Sequence, residues 1–316
     1  MKILELKEVT KEFGNKIIID NASFTVDEGD IFGIIGQSGS GKSTLLNLII
    51  GFYDTDDGSI LYQLSPTQKP KLIHQNRAEI KQKFGFASQV SSFYPKLTVK
   101  ENILHFGKLY GIKKIHLENN MKNLLEFTEL QPHQEKLAEH ISVGMQKRLD
   151  LSCSLIHKPK VLLLDEPTAD LDPLIRQEIL YLIQQANQQG ITVVIASHHL
   201  SDIEDICNKV AIIHQGKIIT WGKVDEVKKP YLQKESVIHL NAGSNNQKII
   251  EQAKRLPITK IIDKGDSLII CAPDLQNALY EIVNFAQEEN ISLHYLDIKK
   301  PSLKEIFETI IKEKNR

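Results

Sequence analysis

The clearest chemistry in the chain lies in nine consecutive residues, Gly36-Gln37-Ser38-Gly39-Ser40-Gly41-Lys42-Ser43-Thr44. Glycines at this spacing let backbone N–H groups converge on phosphate oxygens with no Cβ in the way. Gly36, Ser38, Gly39, Gly41 and Thr44 build the cradle. Lys42 is expected to reach the β- and γ-phosphates of a nucleotide, and Ser43 to ligate Mg²⁺. The apolar run Ile31–Ile35 precedes the loop, and the largely apolar Ser43–Ile50, stopped by Gly51, follows it. That order reads as strand, loop and buried helix, with the positive helix end aimed at the phosphates. A chance Gly/Ser turn would lack this context. A second group of residues, Val161-Leu162-Leu163-Leu164-Asp165-Glu166, is an apolar strand ending in two acids. Asp165 is placed to hold the Mg²⁺ shell. Glu166, one residue on, can reach the water that attacks the γ-phosphate.

Several elements must position these groups. Ile17–Ile19, Ala22–Val26 and Ile31–Ile35 read as short strands separated by turns at Gly14-Asn15 and Asp27–Asp30. Residues 64–82 are polar and Pro-bearing, a surface excursion. Residues 100–157 have helical spacing, broken near Gln131-Pro132. A helix is expected over 174–189 and a strand over 191–196. Apolar runs such as Val161–Leu164 suit a parallel sheet covered on both faces. After Trp221-Gly222 the composition shifts, and the charged stretch 223–235 with Pro230 reads as a linker. Beyond it come strand 236–241, helix 246–256, strand 258–263, a Gly265-Asp266 turn, strand 267–272, helix 274–290, strand 291–298 and helix 302–313. The order β-α-β-β-α-β is that of a ferredoxin-like sandwich.

Composition narrows the class. At 316 residues the chain suggests a large domain and a small one. Its net charge of -1 steers it toward neither nucleic acid nor an acidic membrane. The lysines over 69–83 have too few aromatics among them to form a nucleic-acid patch. The three cysteines, Cys153, Cys207 and Cys271, are scattered, so buried free thiols are expected rather than a metal site. Adjacent His198 and His199 lack further ligands, and His74, His105 and His116 lack any motif around them. The N-terminus has no apolar segment of the signal-peptide kind, and no apolar run approaches the ~20 residues of a membrane span. Any service to a membrane is expected to be peripheral.

The residues between the two phosphate motifs narrow the reading further. Ile141-Ser142-Val143-Gly144-Met145-Gln146-Lys147-Arg148 resembles the signature of ABC ATPases. Gln89 resembles that family's Q-loop glutamine, Ala169-Asp170-Leu171-Asp172 its D-loop, and His198 its switch histidine. The ordered set covers about residues 3–222. The resemblance implies an α/β fold, a P-loop NTPase ABC cassette with a parallel-sheet core, an antiparallel β subdomain and a helical subdomain. The small C-terminal α+β domain would follow it. The expected divisions are a cassette over 1–227, a linker over 228–235 and an accessory domain over 236–316.

The resemblance also implies roles. Two cassettes would pair head to tail around ATP, with Ser142 and the Gly144 amide of one meeting the γ-phosphate held by the other. Asp172 would join that contact, and Gln89 would touch Mg²⁺ and the attacking water. His198 would hold the γ-phosphate, Glu166 would be the base, and Phe13 would stack on adenine. The partners implied are a transmembrane permease and a second cassette, alike or different, at the cytoplasmic face of the membrane, with no nucleic acid. Within the family the signature and the tail Lys300-Pro301-Ser302-Leu303-Lys304-Glu305-Ile306-Phe307 are most similar to multidrug-type exporters. A soluble ABC ATPase acting on nucleic acid or ribosomes is the alternative. Its usual second cassette, long insertion or zinc-binding cysteines are not in this sequence. Val143 stands where the family usually has glycine and is expected to slow hydrolysis. Met145 and Asp170 are the other departures.

Overall fold

A computed structural model describes residues 1–235, 237–265, 267–299 and 302–314; of 231–235 and 312–314 only the backbone is described. The chain divides into two compact units, Met1–Lys223 and Val224–Arg316. The first opens with β1 (Lys2–Phe13), β2 (Lys16–Asp27), β3 (Ile31–Ile35), α1 (Lys42–Ile49), β4 (Asp57–Tyr62), β5 (Lys71–Leu72), α2 (Arg77–Lys83) and β6 (Phe84–Ala87). It continues with α3 (Val99–Leu109), α4 (Lys114–Phe127), α5 (Val143–Leu155), β7 (Val161–Asp165), α6 (Pro173–Gln188), β8 (Thr192–Ser197), α7 (Leu200–Ile206), β9 (Lys209–His214) and β10 (Lys217–Lys223).

A six-stranded sheet in the order β10-β9-β3-β8-β7-β6 forms the base of the unit. All its pairings are parallel except β9 with β10. Every residue of β3, β7 and β8 is buried, as strands covered on both faces must be. An antiparallel sheet, β2-β1-β4-β5, lies in the same hydrophobic core. The two strands expected over 17–26 are one, β2. A bulge merges them, with Asn21 at φ 53 and register shifts on either side of Val9. The excursion 64–82 carries β5 and most of α2. Elements β4, β6, α7, β9 and β10 have no counterpart in the sequence reading, because their short apolar runs lie among charges and turns.

The helices α3, α4 and α5 pack on a core of their own that includes Val99, Ile103, Leu117, Met121 and Leu149. Short 3₁₀ turns at Gln131–His133 and Ala138–His140 account for the expected break. Thr98 and Glu101 close a capping box at the start of α3.

The second unit runs α8 (Val224–Glu235), β11 (Val237–Asn241), α9 (Asn246–Ala253), β12 (Lys260–Asp263), β13 (Leu268–Cys271), α10 (Leu275–Glu288), β14 (Tyr295–Lys299) and α11 (Leu303–Lys314). Its antiparallel sheet has the order β12-β13-β11-β14, and α9 and α10 join its core. The β-α-β-β-α-β succession is the expected one. The stretch 228–235, read as a linker, is part of α8, which runs through Pro230. Its polar sequence hides an anchor, buried Val227, and α8 packs against α11. The stripe Leu303, Ile306, Phe307, Ile310 and Ile311 is buried. Ser236, Asp266, Lys300 and Pro301, named in the readings above, lie outside the described residues.

Candidate functional site

The site grows from the carboxyl ends of three adjoining parallel strands. β8 lies between β3 and β7, with Ile35 opposite Ser197 and Asp165 opposite Ala196. Register alone therefore brings the phosphate loop after β3, the acid pair ending β7 and the histidine after β8 to one level. Open α/β sheets bind ligands at this edge.

The loop is an exposed arch, Gln37–Gly39, over a buried base of Gly36, Ser40, Gly41 and Lys42. A Cβ on Gly36 would stand 2.4 Å from the Ile213 carbonyl oxygen and 2.5 Å from Ser40 Oγ, so only glycine fits. Gly39, at φ 76, has nothing within 4 Å of its missing Cβ. Ser43 is exposed and Thr44 partly so, both at the start of α1. Lys42 Nζ donates to the Gly36 carbonyl at 3.0 Å and the Gln37 carbonyl at 3.3 Å. The same Nζ lies 3.4 Å from Glu166 Oε1.

Glu166 is fully engaged. Its Oε1 also faces His198 Nδ1 at 2.9 Å. Its Oε2 accepts from Ser197 Oγ at 3.2 Å and from the His198 backbone N–H at 3.3 Å. Burial works to raise this carboxyl, but the His198 hydrogen bonds and the Lys42 and His198 charges together hold it below its ordinary value. Glu166 also sits at φ 49, a left-handed conformation that a non-glycine residue keeps only where its surroundings insist. Asp165 goes the other way. Burial, reinforced by the Glu166 charge, raises its carboxyl, and Ser43 and Lys42 only partly oppose this. Asp165 Oδ1 is buried and makes no hydrogen bond within the described residues. An orphaned carboxylate oxygen beside a serine hydroxyl is the oxygen-only donor set that a hard cation such as Mg²⁺ takes.

Structure thus brings Lys42, Ser43, Asp165, Glu166 and His198 together. Among the described residues no hydrogen bond, ion pair or ring contact joins the loop to Phe13, Gln89, Ser142, Gly144 or Asp172. Phe13 is 44% exposed at the end of β1, edge-on to Tyr53 at 5.1 Å. Gln89 is exposed just after β6, and its carbonyl accepts from Lys147 at 3.2 Å. Ser142 caps α5, its hydroxyl accepting from the Met145 amide. Val143 beside it points to solvent at 55% exposure. Gly144 is buried against Ile175. Asp172 caps α6, its Oδ1 accepting from the Leu174 and Ile175 amides at 3.1 Å each. Ser197 and Asp150 were missed in the sequence. Ser197 ends an apolar strand next to His198. Asp150 interrupts the run Leu149–Leu151 on a buried helix face, and both are signals of a polar group held inside for a purpose.

Fold and site together define a P-loop nucleoside triphosphatase. A family model described as ABC transporter matches residues 19–169. The chain is 30% identical over 309 residues to the linearmycin resistance ATP-binding protein LnrL of Bacillus subtilis, covering 96% of this chain and 97% of that protein. It is 35% identical to the bacitracin transport ATP-binding protein BcrA of Bacillus licheniformis, covering 72% of each. Among solved structures, a nucleotide-free ATP-binding cassette from an ABC transporter matches with a TM-score of 0.65 at 28% identity, over 74% of this chain and 96% of that one. The chain belongs to the ABC transporter family and is one of its ATP-binding, ATP-hydrolysing subunits.

Proposed function

We propose that this subunit binds ATP with Mg²⁺, pairs head to tail with a second cassette, and drives export through a separate membrane permease. One observation carries the reading: Lys42, Glu166 and His198 meet at the carboxyl edge of β3, β7 and β8. Lys42 would exchange its loop carbonyls for phosphate oxygens. Ser43, Asp165 and Gln89 would hold Mg²⁺, which supplies charge neutralisation on the phosphates. Glu166 would take the proton of the attacking water, with His198 and Ser197 fixing its carboxylate. The rest of the work is positioning and stabilisation of charge in a fixed polar site.

Pairing is supported by the exposure of Ser142 and Val143 at the start of α5. Phe13, exposed at a strand end with Lys11 Nζ 5.4 Å over its ring, would stack on adenine in place of that lysine. Export is supported by the names of relatives, which include linearmycin resistance, bacitracin transport and probable multidrug proteins. No helix among the described residues is long and apolar enough to cross a membrane, which fits a separate permease and a peripheral place on the cytoplasmic face.

Glu166→Gln tests the reading. It keeps the contacts to Lys42 and Ser197 in shape but removes the base. Turnover should fall roughly 100-fold or more. ATP binding should persist, and size exclusion with ATP should show a trapped dimer. Near-normal hydrolysis would remove Glu166 from its role, and a chain that stays monomeric with ATP bound would sink the pairing.

A further inference from the structure

The loop from Glu166 to Asp172 is bent twice against its residue types. Glu166 has φ 49 and Asp170 has φ 60, both left-handed and neither a glycine. A loop keeps two such residues only where its surroundings hold it. Thr168 stands between them and is buried, 1% exposed. Its hydroxyl donates to Asp202 Oδ2 at 2.6 Å. Further along, Arg176 on α6 donates from Nη2 to the Leu171 carbonyl at 3.3 Å, and its Nη1 lies 3.8 Å from Asp202 Oδ1. Asp202, 4% exposed, therefore meets the loop twice, directly at Thr168 and by way of Arg176 at Leu171.

Asp202 lies in the first turn of α7, the helix that follows His198 and His199. An acid at that place commonly bonds back to the amide that opens its own helix. Here the His199 amide donates to Ser197 Oγ instead. Asp202 is left to face the loop, with Ser201 Oγ at 3.3 Å as its neighbour on the helix. The stretch 166–172 and the stretch 197–202 are thus joined at two places. One is Glu166 with Ser197 and His198. The other is Thr168 with Asp202. His198 stands in the chain between these two fastenings.

We propose that Asp202 is a positioning residue for hydrolysis: by holding Thr168 and, through Arg176, the Leu171 carbonyl, it fastens α7 to the loop and so sets His198 Nδ1 against Glu166. It acts through His198 and not on the reacting atoms. A carboxylate suits the task, because one oxygen can take the threonine hydroxyl while the other faces the guanidinium. This rests on Glu166 and His198 serving the attacking water as proposed above.

The test uses the full chain with ATP and Mg²⁺. Thr168→Val keeps the shape of the side chain and removes the donor. Its kcat should fall roughly tenfold, the weight of one hydrogen bond to a charged group. KM for ATP should stay within about twofold of the parent, since no nucleotide contact is lost. Thr168→Ser keeps the hydroxyl and should stay within about threefold of the parent in kcat. In a His198→Ala background Thr168→Val should cost less than about twofold more, because the two changes remove one contact. The place of His198 is read directly by nitrogen NMR on a chain carrying isotope-labelled histidine. The His198 Nδ1 resonance, assigned by its loss in His198→Ala, should move in Thr168→Val and stay in Thr168→Ser. Arg176→Gln, on the partly exposed side of Asp202, should move the same resonance and serves if Thr168→Val does not fold. A parent-like kcat in Thr168→Val, a serine variant as slow as the valine one, an equal loss in the His198→Ala background or an unmoved resonance each overturns the proposal. If His198→Ala hydrolysed ATP at the parent rate, the reading of the whole site would fail on its own, and the resonance would still decide the positioning.

Discussion

At the scale of single residues, the site is a set of groups engaged with one another. Lys42 spends its donors on two carbonyls and Glu166. Glu166 uses both oxygens on His198, Ser197 and Lys42. Val143 is the exception, an apolar side chain with no work in its own chain and 55% exposed. If its Cβ crowds a phosphate held by a second cassette, Val143→Gly should raise steady-state ATPase several-fold. The helix should lose no more than about 1 kcal/mol, the ordinary weight of glycine in a helix. An unchanged rate in a folded variant would mean that Val143 does not meet the phosphate. These residues were legible in the sequence because phosphate binding demands fixed residue types at fixed spacing. Ser197 and Asp150 were not, since a lone serine or aspartate declares its role only when the fold brings a neighbour to it.

At the scale of elements, two helix contacts can be weighed. Gly144 is expected at the nucleotide, yet within this chain it is also where α5 and α6 touch. A Cβ there would lie 2.6 Å from Ile175 Cγ2. Gly144→Ala should therefore cost about 1–3 kcal/mol by overpacking. Ile175→Ala in the same chain should recover part of that stability, read by denaturant midpoint, while ATPase stays low if the Gly144 backbone serves a phosphate. Stability without recovery would put the strain elsewhere.

The end of α5 offers a pH test. His157 stacks on Tyr110 at 3.7 Å and its Nε2 meets the Phe84 carbonyl at 3.0 Å. Burial pushes its pKa down to about 4, against an ordinary value of 6.5. The neutral ring is the folded form, so its contribution is complete above pH 6.5 and falls as pH drops toward 4. Linkage puts the loss at about 2 kcal/mol by pH 5. His157→Phe keeps the stack and should flatten that part of the stability profile between pH 7 and 5. An equally steep profile in the variant would assign the acid sensitivity to other groups. Helix and strand periods made most elements readable in the sequence. The exceptions include β4, β6, α7, β9 and β10, and a run such as β9 gains meaning only beside β3, far earlier in the chain.

At the scale of the whole molecule, the chain is a cassette unit followed by a smaller unit that carries none of the site residues. The β-α-β-β-α-β order was legible because each strand and helix keeps its own period. The helical nature of 224–235 was not, because Pro230 and a run of charges read as irregular chain, while the buried Val227 and the packing on α11 support a helix. We expect the second unit to support pairing between cassettes. Ending the chain at Lys223, where the compact units divide, removes no site residue. The shortened protein should bind ATP as the full chain does. Its ATPase should depend more steeply on protein concentration, as a weaker dimer requires. Identical concentration dependence in the two proteins would leave the second unit a regulatory or permease-facing part.

The placement of β3 in the large sheet has a consequence for how the protein is made. β3 emerges early, but its two neighbours are β8 and β9, with Ile35 opposite Ser197 and Ile212. At ordinary translation rates that leaves on the order of ten seconds or more during which an all-apolar strand has no sheet to join. The antiparallel hairpin of β1 and β2 and the helical core around α3, α4 and α5 close over short sequence distances and can form in that interval. The phosphate loop is therefore among the first segments synthesised and the last to acquire its shape. Until then the nascent chain carries an exposed sticky strand, and recombinant yield should depend on cooling and on chaperone supply more than the finished fold would suggest.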